Sequence, residues 1–451
     1  MISGRISQPF QDAPQLQGAA AGAPYESNDG NLLRKLGFFF AIGLLFLYVS
    51  MIHVLLATMI GGGSKLLFVV GFLAVTGVVC GGGIVRTFRG RPAYYWVAYF
   101  LWLVLALPFS TWKGGSANWL WGYFRAHFVM LFAIGGLVVT WRECRTMMFT
   151  IAIGALTSFV PIRMLAKDFG GREGFAGGTV GNPNDLATHL LLVVPFMLWL
   201  VLTSKSVVLR LAACGGVAYG IFLILSSGSR GAVVGFGVAI LFYLFRATAR
   251  QRGVAIIVVP VLVAALLTVV PQRSLNRIAS LASSSGNVED TEASSVSRMY
   301  LLKTGIQAAI DHPIFGVGQG MFAIYEGQHG TVVGGYRGQY QETHNSYVTV
   351  AAECGIPAFI FYMGGLFSTF RLLNAAHRQA RGRTDCHDIR VTTFCILLGL
   401  VGFCTAMFFV NFTYFYYLPA LAGLTIAVSH AAQAEFRFRS VVSAGTANSY
   451  L

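Results

Sequence analysis

About twelve mostly apolar stretches run through this chain, most of them the ~17–25 residues a helix needs to cross hydrocarbon and a few slightly shorter. They lie near 36–58, 66–85, 94–111, 126–140, 147–163, 186–203, 208–226, 231–246, 254–270, 346–370, 391–409 and 415–430. Inside a bilayer the backbone must satisfy its own hydrogen bonds, so such runs fold as helices. The expected fold class is an all-α integral membrane protein of about twelve transmembrane helices. Composition agrees. Charged residues make up only 11% of the 451 positions, against about 25% in soluble domains. That is too little to clothe a water-facing surface, which excludes soluble enzymes, secreted disulfide scaffolds and ordinary nucleic-acid binders.

The net charge of +15 is then a topology signal and not a nucleic-acid footprint. With the N-terminus inside, every inner joint is basic, from Arg34 and Lys35 through Arg86, Arg89 and Arg91 to Arg378, Arg381 and Arg383. Both termini are therefore expected in the cytoplasm. Residues 1–33 show no cleavable signal and read as a disordered cytoplasmic tail rich in Gln, Ala, Gly and Pro. Helices one to nine occupy 34–270, a large outer loop 271–345, helices ten to twelve 346–430, and a cytoplasmic tail 431–451. None of the seven cysteines falls in an outer loop, so the outer segment is not disulfide-stapled.

A connection as long as 271–345 is usually functional or partly folded. Ser283-Ser284-Ser285-Gly286-Asn287 reads as flexible. From Arg298 to Asp311, Met299, Leu302, Ile306 and Ala309 or Ile310 recur at helical spacing, which predicts an amphipathic helix along the membrane face with that side buried. His312-Pro313 ends it.

Chemistry-bearing residues gather on the outer side. Gly181-Asn182-Pro183-Asn184-Asp185 opens the sixth run. Capping explains it, with Asn182 as N-cap and Pro183 at the first helical position; a helix N-terminus presenting free amides to an anion explains it too. Ser226-Ser227-Gly228-Ser229-Arg230-Gly231 makes the turn between runs seven and eight. Arg230 starts a helix, where the macrodipole disfavours a cation unless an anion binds there. Arg298 heads the outer amphipathic helix, a position that a solvated arginine also takes. His344, in Thr343-His344-Asn345-Ser346 at the start of run ten, is kept neutral by the same dipole, as a general base requires. Glu353 lies deeper in that run, where a carboxylate is functional or structurally paired. Arg125 precedes run four and Arg163 ends run five, positions with no topogenic reason to be basic. No metal-ligand spacing, P-loop or dinucleotide fingerprint is present.

The motif order resembles the O-antigen ligase and polymerase superfamily. The residues that carry the likeness are Gly181-Asn182-Pro183-Asn184, Ser229-Arg230-Gly231, Arg298 leading to His312-Pro313-Ile314-Phe315-Gly316-Val317-Gly318, His344-Asn345-Ser346-Tyr347, and Glu353-Cys354-Gly355-Ile356-Pro357. The resemblance implies a GT-C-type glycosyltransferase of the bacterial inner membrane with a periplasmic active site. It would be inverting, without metal or other cofactor. Its donor would be glycan on undecaprenyl diphosphate, and its acceptor a sugar of lipid A–core. Carried over by motif, Arg230 and Arg298 would bind the diphosphate and His344 would deprotonate the acceptor hydroxyl. Arg125, Arg163 and Arg172 are secondary diphosphate candidates by side and charge, and Asn184 and Asn345 are candidates for substrate contact. Polymerases and protein O-oligosaccharyltransferases resemble the ligases in the His-Asn region and differ in acceptor. A secondary transporter fits less well, because transporters set polar groups near the midplane and show internal repeats.

Overall fold

The computed structural model describes residues 31–61, 63–170, 172–279, 289–330, 338 and 340–448. Residues 1–30 of the expected N-terminal tail (1–33), the serine-rich stretch 283–287 and the last three residues lie outside them; Leu32 and Leu33 of that tail open the first helix. Asn31 caps α1 (Leu32–Ser50), its side chain accepting from the Arg34 amide. α2 (Ile52–Met59) follows a break at Met51, which has φ 55°. Next come α3 (Gly63–Cys80), the short α4 (Gly83–Thr87), and α5 (Arg91–Ala106), which has Pro92 at its start. α6 (Lys113–Tyr123) runs through a π-helical turn, Phe124–Phe128, into α7 (Val129–Leu137).

α8 (Trp141–Met164) opens with a capping box between Thr140 and Glu143. A two-stranded hairpin, β1 (Ala166–Asp168) against β2 (Glu173–Phe175), interrupts the helices. Then follow α9 (Pro183–Thr203), α10 (Val207–Ser226), α11 (Arg230–Arg246) and α12 (Ala249–Leu267). Between α12 and the last three helices stand α13 (Gln272–Ala279), α14 (Glu289–Asp311) and α15 (Phe322–His329), and α16 (Ser346–Arg381), α17 (His387–Ala406) and α18 (Tyr417–Asn448) complete the chain.

Nine segments among the described residues are long and apolar enough to cross a membrane. The remaining expected runs form α3, α11 and α18, so each apolar run is helical. This is a helical, multi-pass membrane protein. A core of small and aromatic side chains binds the helices together, with Trp96, Tyr99, Trp141, Phe196, Tyr362 and Phe403 fully buried.

The ends of several elements differ from the sequence expectation. The fourth run was expected at 126–140, but the helix begins at Lys113. Aromatic and small residues carry it through 113–125 despite modest hydropathy. Arg125 therefore sits inside a continuous helical segment, in the π-turn, and does not precede one. The segment 431–448, read as a tail, continues α18. Arg439 anchors it through Asp388 at the start of α17 (3.0 Å) and Glu435 (3.1 Å).

The outer helix carries two corrections. It starts at Glu289, so Arg298 lies well inside it and does not head it. Its buried residues are Tyr300, Leu301, Gly305, Ala308 and Ala309, with Leu302 half-buried, so Ala309 falls on the expected side, while Met299, Ile306 and Ile310 are exposed. Close packing decided this. Gly305 lets α14 approach α16, and a Cβ there would come within 2.6 Å of Val348, so small residues outrank large apolar ones at the contact.

α16 is broken one-third of the way along. Gly355 has φ 83° and ψ 172°, with Pro357 two residues on. The opening lets the 313–318 segment add to the broken backbone: the amides of Val317 and Gly318 donate to the carbonyls of Ala352 and Glu353, and the Ile356 amide to that of Pro313. A side chain at 355 would strike the Ile314 carbonyl, so glycine is required.

Candidate functional site

The turn after α10 organises the first half of the site. Ser229 caps α11, accepting from the Ala232 amide (3.4 Å), which sets Arg230 as the first helical residue. α13 folds back onto this turn, Ser274 Oγ donating to the Ser226 carbonyl at 2.6 Å, and so brings Arg277. From the hairpin side Arg172 donates through Nε to the Ser227 carbonyl (2.7 Å) and through Nη2 to Asn184 Oδ1 (2.8 Å). One guanidinium thus joins the two motifs at 181–184 and 226–231. Asn182 is the N-cap of α9, its Oδ1 accepting from Asn184 and Asp185.

Arg172, Arg230, Arg277 and Arg298 feel one another's charge. Burial, then the charges of Arg277, Arg298 and Arg230, lower the Arg172 pKa to about 10. Burial, then Arg230 and Arg277, lower that of Arg298. Guanidiniums set close enough to disfavour their own protonation make a site that an anion relieves. Arg277 was missed in the sequence. Its signal was there, since Arg273 and Arg277 are one helical turn apart directly after the ninth run.

His344 borders this cluster. Its backbone is left-handed (φ 50°), an uncommon conformation for a non-glycine residue and a frequent mark of functional sites. Burial and then the charge of Arg298 hold its pKa at about 4, so the imidazole is neutral near pH 7. Asn345 is the N-cap of α16, its Oδ1 accepting from the amides of Tyr347 and Val348.

His344 also lines a cavity of about 450 Å³, bordered by Trp119, Asn182, Asp185, Glu342, Glu353, Asn411, Tyr414 and Phe415, among others. Glu353 closes its floor: Oε2 accepts from the Gly320 amide (2.8 Å) and the Tyr414 hydroxyl (2.7 Å), Oε1 from the Phe322 amide (3.1 Å).

The structure thus gathers Arg230, Arg298, Arg172, Asn184 and His344, joined by Arg277. Asn184 and Asn345 both spend their carboxamide oxygen on protein donors, one on Arg172 and one on a helix start. Arg125 and Arg163 are exposed; Arg125 acts on Tyr48 and His127, and no described contact ties either to the cluster. Among the described residues no three His, Cys, Asp or Glu side chains converge as a metal site.

Residues 215–363 match a family model described as O-antigen ligase. The match supports membership of the O-antigen ligase superfamily. The matched segment contains Arg230, Arg277, Arg298, His344 and Glu353, whereas Arg172, Asn184 and Trp119 come from outside it. Its members' activity is of ligase or polymerase type, a transfer of glycan. No curated protein matches the chain.

Proposed function

We propose that this protein is an inverting, metal-independent GT-C glycosyltransferase that moves O-antigen glycan from undecaprenyl diphosphate to a sugar of lipid A–core, at the periplasmic face of the bacterial inner membrane. The observation that carries the reading is the adjacency of the arginine cluster and a neutral, half-buried His344. Arg230, Arg298, Arg277 and Arg172 bind the diphosphate and take up the charge that grows on it. His344 accepts the proton of the acceptor hydroxyl. The hydroxyl oxygen bonds to the anomeric carbon as the bond from that carbon to the diphosphate breaks, and undecaprenyl diphosphate leaves with the electron pair. The imidazolium, acidic in this setting, then returns its proton to water.

A second feature supports a lipid carrier. An apolar groove of about 330 Å³ lies between α9, α10, α11, α12 and α17, lined by Val194, Val217, Ile221, Phe236, Val258 and Leu262 among others. α10 ends and α11 begins at the turn that holds Arg230, so a tail in this groove can lead up to a diphosphate on the cluster. Orientation is read from the charges: the arginine-rich ends of α11 and α16 lie opposite His344 and face the cytoplasm.

The test uses purified protein in lipid nanodiscs, undecaprenyl-diphosphate-linked glycan, and two acceptors, lipid A–core and the lipid-linked glycan itself. Transfer to lipid A–core, lost in His344→Ala, is the expected result. Chain lengthening without core modification makes the protein a polymerase, and no transfer to either overturns the reading.

A further inference from the structure

The cavity that His344 lines has a chemistry opposite to that of the arginine cluster. Asp185, Glu342 and Glu353 line it, with Asn182 and Asn411, and among the described residues neither arginine nor lysine lines it. Its volume, about 450 Å³, lies within the range of small-molecule sites, about 300–1,000 Å³. Glu353 is fully used by protein donors, but the other two carboxylates are not. Asp185 Oδ2 accepts from the Gly181 amide (3.0 Å) and Asn182 Nδ2 (2.9 Å), and Glu342 Oε2 accepts from Asn411 Nδ2 (3.0 Å). The second oxygen of each takes no described hydrogen bond.

Trp119 forms a wall of the same cavity and remains 43% exposed. It can lie there because residue 320 is glycine in a left-handed conformation (φ 71°), where a Cβ would run into the indole. An accessible indole face beside spare carboxylate oxygens suits a pyranose: the ring's C–H face stacks on the aromatic, and its hydroxyls donate to the carboxylates. A phosphate here would meet Asp185 and Glu342, and no arginine or lysine among the described residues lines the cavity to answer it.

We propose that this cavity is the acceptor subsite and that it selects a sugar residue bearing no phosphate. The proposal rests on the transferase reading above and adds the chemical class of the acceptor. The two substrates are sorted by charge around one imidazole. The diphosphate lies against guanidiniums and the acceptor polyol against carboxylates, so each is repelled from or unsupported at the other's place. Trp119 and Glu342 are positioning and specificity residues, and they touch the acceptor away from the reacting hydroxyl.

The test measures binding directly, by saturation-transfer NMR on the full chain in nanodiscs. The probes are methyl α-D-glucopyranoside and glucose 6-phosphate at about 10 mM, suited to weak sugar affinities. The glucoside should be saturated and the phosphorylated sugar at least about tenfold less. Trp119→Ala should cut the glucoside signal at least about fivefold. Glu342→Lys, at an exposed position where folding is not at stake, should admit glucose 6-phosphate. Equal signals from both probes, no glucoside signal, or a selectivity unmoved by Glu342→Lys overturns the proposal. Transfer to lipid A–core without this selectivity removes the acceptor subsite and keeps the transferase. Selective sugar binding with no transfer to either acceptor removes the transferase and keeps the cavity as a sugar site.

Discussion

Glu353 is a buried carboxylate a few residues from the candidate base, and its role is decided by whom it serves. Its two oxygens take three protein donors, the Gly320 and Phe322 amides and the Tyr414 hydroxyl, and the residue is only 4% exposed. The geometry gives it a structural task, fixing the 318–322 turn against the broken helix. Glu353→Ala orphans three donors at about 1–3 kcal/mol each. Water entering from the adjacent cavity recovers part of this, leaving a net loss of about 3–5 kcal/mol. Glu353→Gln keeps a carbonyl for Gly320 and Tyr414 but sets an NH2 against the Phe322 amide. That conflict costs about 1–3 kcal/mol, partly offset because a neutral amide is cheaper to bury than a carboxylate. The assay is thermal unfolding in nanodiscs beside transfer activity. Alanine should lower the midpoint by several degrees, glutamine by less, and activity at low temperature should survive better in glutamine than in alanine. An Ala variant with an unchanged midpoint and no activity would refute this reasoning and make the carboxylate part of the chemistry.

His344→Ala should lower transfer about 10²–10⁴-fold, the usual worth of a general base, with the unfolding midpoint and carrier binding retained; activity within tenfold of wild type contradicts the assignment. A base must be unprotonated to act, and His344 is held at about 4, so kcat/KM of the free enzyme should be level from neutral pH down to about 5 and fall below it. Removing the Arg298 charge takes away one cause of that depression, so in Arg298→Ala the acid limb moves to higher pH while the plateau drops about 10²–10³-fold; a pH–rate profile reads both. Arg125→Ala and Arg163→Ala, exposed and outside the cluster, should stay within about twofold of wild type, and a large loss in either would restore it to the carrier site. Transfer should also persist in excess chelator; loss that added divalent ion reverses would contradict the metal-free mechanism.

Helices were legible because apolar length alone specifies them, and each expected run is helical. What hydropathy could not show was where weakly apolar stretches join them. Lys113–Tyr123 extends the fourth run through aromatic and glycine packing, which moved Arg125 into a helix. On α14 the spacing of large apolar residues placed Ala309 on the buried side but also Met299 and Ile306, which are exposed, because close approach to α16 selected Gly305 and Ala308. Arg230, Arg298 and His344 were found from their positions beside helix starts and motif order, although Arg298 proved internal to its helix. Arg277 joins the arginine cluster only through the backfolding of α13, and Trp119, Asp185 and Glu342 meet only through the break at Gly355 and the Gly320 turn. Such contacts between distant segments leave no periodic trace in a chain.

The guanidinium cluster bears on the pace of the cycle. On the proposed reading, the glycosylated donor carries its diphosphate as a diester. The spent carrier carries it as a monoester, with one more ionisable oxygen. Four mutually repelling cations must then grip what remains after transfer more firmly than what arrived. Turnover would end in a sticky intermediate state, with the spent carrier still seated, and its escape into the bilayer would set the tempo. Whatever clears free carrier from that leaflet would govern how fast the next glycan is moved.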